Sequence, residues 1–319
     1  MQAILVVTLP FFALVLCGYL AARQRVLPES AVPGLNAYVL YFALPCMLFR
    51  FGASMPFAAL IDPTLIGLYA ACALAVVALT IALTKRRVGL KNAAFGALVA
   101  AFPNSGFMGV PLLVALYGDA AAGPVIGTLL VDLFLTSTLC LALAHGEQHE
   151  TGDSLLRSAA SALRGALANP QPWAIALGAL AAALGVQLPA PLAQFVRMLG
   201  DSASPVALFT IGAVLWRAGQ HAHTRTPVRE FLPVALVKLI VHPLLVAAAG
   251  LALRAAGWPV SGFGLTVLVL AAALPSASNV SLLAERFGAD NGRIARIIMA
   301  STALAFASFT LVAWLAQQV

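Results

Sequence analysis

Asp132 is the only carboxylate set deep within an apolar run of this chain, and Lys238 is the only cation so placed. A charge at bilayer depth costs roughly 3 kcal/mol even on lenient insertion scales, so each marks a candidate site. Thr128, Asp132, Thr136 and Cys140 recur every four residues, which puts a polar stripe on one helix face. His242 follows Lys238 by one turn, and Pro243 leaves the carbonyl of Leu239 without its helical donor. Two readings stay open. Lys238 compensates a bound anion while Asp132 carries a coupling ion, or Lys238 and Asp132 form an ion pair that merely joins two helices. Ser301 and Thr302, the counterpart region of Asp132 in the second half, are uncharged, so any coupling site is asymmetric.

A second group consists of backbone breakers. Residues 98–119 read LVAAFPNSGFMGVPLLVALYGD, an apolar run holding Pro103, Asn104, Ser105, Gly106, Gly109 and Pro111. Prolines at membrane depth free carbonyls that must be satisfied inside protein or beside water, so this run is expected to be a broken helix lining a site. Residues 270–290, LAAALPSASNVSLLAERFGAD, repeat its pattern of apolar half, proline, small polar patch, apolar half and closing Gly and Asp. Pro103 then corresponds to Pro275, and Asn104-Ser105-Gly106 to Ser276-Ala277-Ser278-Asn279. Matched interruptions in two halves of a membrane chain point to a midplane binding site, where half-helix N-termini favour an anionic group such as a carboxylate. The expected substrate contacts are therefore Pro103, Asn104, Ser105, Gly106, Pro275, Ser276, Ser278 and Asn279, with Lys238, Asp132 and His242 for charge compensation or coupling.

Those residues need many membrane helices to hold them. The composition is 62% hydrophobic and 9% charged, too little polar surface for a soluble domain. The class is all-α integral membrane. Ten apolar runs meet the spanning length, near 2–22, 33–52, 63–84, 92–116, 121–144, 170–188, 198–216, 231–253, 260–284 and 294–316. Fourteen of the eighteen Lys and Arg fall in the odd-numbered connections, among them Lys85, Arg86, Arg87, Lys91, Arg286, Arg293 and Arg296, against Arg50, Arg197 and Arg254 in the even ones. The positive-inside rule places the odd connections in the cytoplasm and both termini outside. The formal charge of +7 thus reflects topology, with no nucleic-acid partner implied. The first run lacks a charged leader and a cleavage site and is expected to be retained as a span. Three units follow: a five-helix repeat over 1–144, a cytoplasmic linker over 145–169 and a second repeat over 170–319. Five being odd, the second copy is inverted. In the linker, Leu156, Ala159, Ala160, Leu163 and Leu167 share one helical face, so either a surface helix or a plain linker fits.

Other chemistries are weak. Cys17, Cys46, Cys72 and Cys140 lie in apolar runs and read as small core residues. His145, His149, His221 and His223 stand in loops near Glu147, Glu150 and Asp153 and read as solvated, with no metal expected. Asp62 before Pro63 is a helix cap, and Asp201 with Ser202 is expected to open the seventh helix. There is no HExxH, Gly-x-Ser-x-Gly or phosphate loop, so an intramembrane enzyme is the weaker class. Two inverted halves with one break each suit alternating access better than a channel.

The chain resembles the auxin efflux carrier family in four stretches: Leu35-Asn36-Ala37-Tyr38-Val39 through Leu44-Pro45; Phe102 to Pro111; Leu199-Gly200-Asp201 through Ser204-Pro205-Val206-Ala207-Leu208-Phe209 with Ile211-Gly212; and Leu274-Pro275 onward. That resemblance implies ten helices as a 5+5 inverted repeat with broken, crossing helices four and nine, an architecture similar to sodium/proton antiporters and bile acid symporters. It implies a scaffold of helices one, two, six and seven that also mediates a homodimer, and a transport domain of the other six moving as an elevator. Expected function is secondary transport, as efflux, of a small organic anion across a bacterial inner membrane, with no cofactor and coupling to H+ or Na+ open; the alternative is an H+- or Na+-coupled organic acid symporter. The plant carriers have a long central loop, and the short one here is similar to bacterial members.

Overall fold

The computed structural model describes residues 2–56, 60–145, 160–161, 163–220 and 226–317. His149, His221, His223, Glu147, Glu150, Asp153, Leu156 and Ala159 lie outside them, as does most of the linker. The described residues are helical and contain no β-strand. In chain order the helices are α1 (Gln2–Arg23), α2 (Ala31–Ser54), α3 and α4 (63–88 and 90–101, the two arms of Pro63–Ala101), α5 (Ser105–Tyr117) and α6 (Asp119–Ala144). They continue with α7 (Pro170–Ala183), α8 (Ala190–Gln220), α9 (Val228–Ala255), α10 (Gly262–Ala273), α11 (Val280–Arg286) and α12 (Asn291–Ala316). Seven helical stretches are long and apolar enough to cross a bilayer, counting α3 and α4 as one, while α5 and α10 are shorter apolar helices. Residues 163–167 form a short helical turn on which Leu163 and Leu167 are exposed.

The turn between α3 and α4 rests on Gly89, whose φ of 77° falls where a Cβ is disfavoured. Tyr69 and Ala101 would stand about 48 Å apart on a straight helix. Tyr69 Oη instead lies 3.4 Å from the Ala101 carbonyl, so the chain doubles back at Gly89. The expected third connection is thereby reduced to a single residue of non-helical backbone. Asp62 caps α3 as anticipated, its carboxylate accepting from Thr64 N (2.9 Å) and Leu65 N (3.2 Å), with Pro63 in the first turn.

Two helix pairs pack most extensively, α1 with α8 and α2 with α7. Both are close backbone crossings. A Cβ on Gly212 would sit 1.9 Å from the Val15 carbonyl oxygen, and one on Gly178 would sit 2.3 Å from that of Phe49. Lipid offers no hydrophobic drive for helix association, so small residues that admit such approach are what make these contacts favourable. Helices α3, α6, α9, α10 and α12 pack on one another beside them. The deepest part of the molecule is the pair of interrupted stretches: every residue over 93–110 and 270–278 is buried.

Several helix interiors contain a widened π-turn: Val39–Ala43, Ser105–Gly109, Asp132–Thr136 and Val237–Val241. Three end two residues before a proline, namely Pro45, Pro111 and Pro243. The pyrrolidine ring clashes with the carbonyl four residues back, and a wider turn moves that carbonyl aside without ending the helix. Pro111 thus leaves its helix continuous, and the expected break of this run falls at Pro103, as that of the second falls at Pro275.

Other expectations change too. Asp201 and Ser202 do not open a helix, because α8 begins at Ala190 and runs through Pro205. Instead Asp201 pairs with Arg50 at 2.5 Å and Ser202 bonds Tyr38 at 2.6 Å, joining α8 to α2. Arg50 and Arg197 thus lie within helices rather than in connections. Of the cysteines, Cys72 and Cys140 are buried, whereas Cys17 is exposed and Cys46 half-buried, so the last two are not core residues.

Candidate transport site

The two breaks meet. Asn104 N–H donates to the Pro275 carbonyl (2.8 Å), and Ala277 N–H donates to the Phe102 carbonyl (3.0 Å), forming one antiparallel bridge between Pro103 and Ser276. Unpaired backbone at this depth is costly, and the two interruptions satisfy each other's groups. Gly109 makes room for the contact, since a Cβ there would stand 2.7 Å from Leu274. Ser276 N–H donates to Ser301 Oγ (3.2 Å), whose hydroxyl donates to the Ile298 carbonyl (2.9 Å) and ties the second break to α12.

The expected substrate contacts separate into two sets. Pro103, Asn104, Pro275, Ser276 and Asn279 gather at the bridge or beside it, and Ser276 Oγ and Asn279 Oδ1 are buried polar atoms without a partner. Ser105 and Gly106 turn elsewhere. Thr128 gives its hydroxyl hydrogen to the Val125 carbonyl (2.7 Å), so Ser105 donates to Thr128 (3.1 Å) and is spent on α6. Gly106 faces Leu44 and Leu129, the nearest 3.6 Å from a Cβ placed there. Ser278 is buried, and its carbonyl accepts from Ser281 N–H (3.2 Å). The opening of α11 is thus partly closed on itself rather than bare, because Val280 N–H also reaches the Ala277 carbonyl at 3.4 Å.

A fully buried cluster of ionisable groups lies behind the bridge. Asp132 begins a π-turn of α6, and its carboxylate accepts from Tyr69 Oη (2.9 Å) and from Thr136 Oγ1 (3.2 Å). Ser137 Oγ donates to the Asp132 carbonyl (2.8 Å), taking up a group the wide turn leaves free. Lys238, in a π-turn of α9, donates to the Ala272 carbonyl (2.6 Å) and approaches His242 Nδ1 at 3.4 Å. With a lysine donor on Nδ1, the neutral imidazole carries its hydrogen on Nε2, which is buried and unpartnered. The His242 ring also packs against Tyr69, centroids 5.6 Å apart.

The simple ion pair is not formed. Lys238 and Asp132 make no direct contact: the ammonium is taken up by the Ala272 carbonyl and His242, and the carboxylate by Tyr69 and Thr136. The ammonium instead meets the carbonyl end of half-helix α10, the negative pole of its dipole. Tyr69 does likewise for α4 through the Ala101 carbonyl. One buried cluster thus touches the last turn ahead of each break.

Two residues escaped the sequence reading. Tyr69 carries no charge and looks like an ordinary aromatic of an apolar run. Arg293, counted among the loop cations, is 1% exposed and is the largest fully buried side chain described. Its Nε donates to the Glu230 carbonyl (2.9 Å) and its Nη1 to the Asn92 carbonyl (2.9 Å), clamping the ends of α9 and α4 to the start of α12. Asp290 caps α12 on Arg293 N–H (2.9 Å) and bonds Asn92 Oδ1 through its own N–H (2.9 Å). The Asp290-x-x-Arg293 spacing was the available hint, since it puts Arg293 in a first helical turn.

Beside the second break a cleft of about 270 Å³ opens between α2, α8 and α11. Asn36, Tyr41, Arg217, Ser281, Glu285 and Asn291 line it.

A helical chain with several bilayer-length apolar helices and a buried polar site between two interrupted ones is a multi-pass membrane protein. Residues 3–314 match the family model described as Membrane transport protein, and the chain belongs to that family, the auxin efflux carriers; it is a membrane transporter. It is 30% identical over 307 residues to a protein of Rhizobium meliloti (strain 1021) named "Putative malonate transporter", covering 95% of this chain and 92% of that one. It is 28% identical over 285 residues to the "Uncharacterized transporter YfdV" of Escherichia coli (strain K12), covering 88% and 87%. An "Uncharacterized transporter" of Methanothermobacter thermautotrophicus is 26% identical over 306 residues, with 95% of each chain covered.

Proposed function

We propose that this protein is a secondary transporter of a small organic anion bearing a carboxylate, with its substrate site at the meeting of the two breaks. The observation that carries the reading is the reciprocal backbone bridge between Pro103 and Ser276, beside which Ser276 Oγ and Asn279 Oδ1 are left without partners. The Ser276 hydroxyl is a free donor for a carboxylate oxygen, and Asn279 Oδ1 is a free acceptor for an O–H of the substrate. The name of the Rhizobium relative supports malonate as the first substrate to try.

The chain then crosses the cytoplasmic membrane ten times as a 5+5 inverted repeat, with both termini outside. Its fourth crossing is α4 with α5, its ninth is α10 with α11, and the two cross at their breaks. Helices α1, α2, α7 and α8 serve as scaffold and dimer surface, and the rest move as an elevator. The antiparallel sense of the bridge supports the inversion, and the small-residue crossings of α1 with α8 and α2 with α7 support a rigid scaffold. The cleft between α2, α8 and α11 lies where a scaffold meets a moving unit, and the Lys and Arg distribution supports its opening to the cytoplasm. The family's name supports net efflux wherever the internal anion excess outweighs the other gradients, since the summed gradients of all that a secondary carrier moves set its direction.

Counterflow in proteoliposomes tests this. Vesicles loaded with unlabelled malonate should take up external labelled malonate faster than empty ones, and Ser276→Ala with Asn279→Ala should raise the half-saturating concentration tenfold or more. Absence of counterflow across a panel of mono- and dicarboxylates refutes the substrate class.

A further inference from the structure

Resting on the anion site just proposed, we infer that the carrier moves a proton together with its anion, that Asp132 holds this proton, and that Tyr69 links its presence to the first break. Three helices bring the cluster together. Around the Asp132 carboxylate are Tyr69 from α3, Lys238 from α9, and Thr136 and Cys140 from its own helix, while Cys72 adjoins Tyr69, and His242 packs between Tyr69 and Lys238. Lys238 is the cation among these side chains and Asp132 the carboxylate. The resting state of this proposal has Asp132 ionised, Lys238 charged and His242 neutral, which leaves the empty site neutral overall.

Charge balance dictates the coupling. A monoanion entering alone makes the buried site negative, and a proton entering alone makes it positive; both are costly in a low dielectric. Anion and proton together restore neutrality, with the bound carboxylate taking over the role of Asp132 opposite Lys238. One proton held on Asp132 moves with one substrate negative charge, so malonate is carried as the hydrogen malonate monoanion. Sodium fits this site poorly. A hard cation wants a shell of oxygen lone pairs, yet both Asp132 oxygens already accept hydrogens, from Tyr69 and Thr136, and the neighbouring ammonium repels a second cation.

The proton step balances simply. A hydronium ion gives its proton to an Asp132 oxygen, forming the acid O–H and leaving water; on the opposite face of the membrane the acid returns it to water. Tyr69 has one hydroxyl hydrogen and two acceptors, Asp132 Oδ2 at 2.9 Å and the Ala101 carbonyl at 3.4 Å. While Asp132 is ionised the hydrogen stays with it. Once the acid is neutral its oxygen is the weaker acceptor, and the hydrogen turns to Ala101, the last residue of α4 before Phe102 and Pro103. Tyr69 is in this sense a positioning residue, since it acts on the substrate site through the backbone ahead of the break. Lys238 makes the matching contact with Ala272 ahead of the second break.

The test uses full-length protein in liposomes, with potassium and valinomycin holding the membrane potential near zero. Imposing an acid exterior and alkaline lumen without sodium should make the native carrier accumulate labelled malonate above its external concentration, and adding a sodium gradient should not change the level. Asp132→Asn should lose this accumulation entirely, and whatever exchange remains should no longer depend on pH. Tyr69→Phe should move the pH midpoint of malonate exchange upward by about one unit, because a donor to the carboxylate is gone. Native exchange that no pH gradient drives uphill overturns the proton while leaving the anion reading intact. Uphill accumulation that survives in Asp132→Asn, or an unmoved midpoint in Tyr69→Phe, overturns the residue assignment. Absence of malonate exchange in the native protein overturns the anion reading, and the coupling falls with it.

Discussion

Replacing Lys238 with methionine keeps the volume of the side chain and removes only its charge and donors, so it isolates what the ammonium does. Two costs follow from its contacts. The Ala272 carbonyl, which now accepts from Nζ at 2.6 Å, is left buried and unpaired, a loss of about 1–3 kcal/mol. The Asp132 carboxylate also loses a compensating charge. Beyond 4.0 Å, and with an effective dielectric near 20, that interaction is at most about 4 kcal/mol. Lys238→Met should therefore destabilise the folded protein by roughly 3–6 kcal/mol. Adding Asp132→Asn should recover the electrostatic share, about 2 kcal/mol, but not the carbonyl share, so the double variant falls between the single one and the native protein. Thermal unfolding in detergent, followed by the fluorescence of the four tryptophans, reads this as a melting point roughly 4 °C higher for the double variant than for Lys238→Met. A double variant that melts no higher than Lys238→Met would refute the claim that the two groups, lacking direct contact, still balance each other.

Further substitutions probe the frame. Gly212→Ala should cost about 1–3 kcal/mol and separate α1 from α8, because its Cβ would meet the Val15 oxygen at 1.9 Å, whereas Gly34→Ala, with nothing within 4 Å, should be neutral or stabilising; paired melts decide. Arg293→Met strands the Glu230 and Asn92 carbonyls and should lower stability by roughly 3 kcal/mol, with faster hydrogen exchange at the starts of α9 and α12 as the local readout. Asp62→Ala removes the cap of α3 and should cost about 1 kcal/mol, while Asp62→Ser should restore most of it in the same assay.

The parts of the site that were legible in the sequence are those with local causes. Pro103 and Pro275 lack an N–H whatever surrounds them, and the matched small polar residues after each made a break, and a pairing of breaks, readable from two short segments. Asp62 before Pro63 was legible for the same reason. The other prolines show the limit of that reasoning. Pro45, Pro111 and Pro243 present the same missing donor, yet each is absorbed by a π-turn ending two residues earlier. Whether the freed carbonyl ends a helix or merely widens it depends on what packs around that turn.

Composition and the periodicity of apolar residues, by themselves, determined that the chain is a helical membrane protein, and proline with its small polar neighbours determined where its two central helices stop. Both are properties of segments shorter than a helix and need no partner. Only the tertiary structure decided the partnerships: that Lys238 meets a helix carbonyl rather than Asp132, that Tyr69 rather than a charged residue holds Asp132, and that Arg293 lies inside the protein. Those contacts join residues 34, 63 and 201 positions apart. A buried polar group takes whichever donor or acceptor the packing brings within about 3 Å, and at such separations no local pattern encodes which one that is.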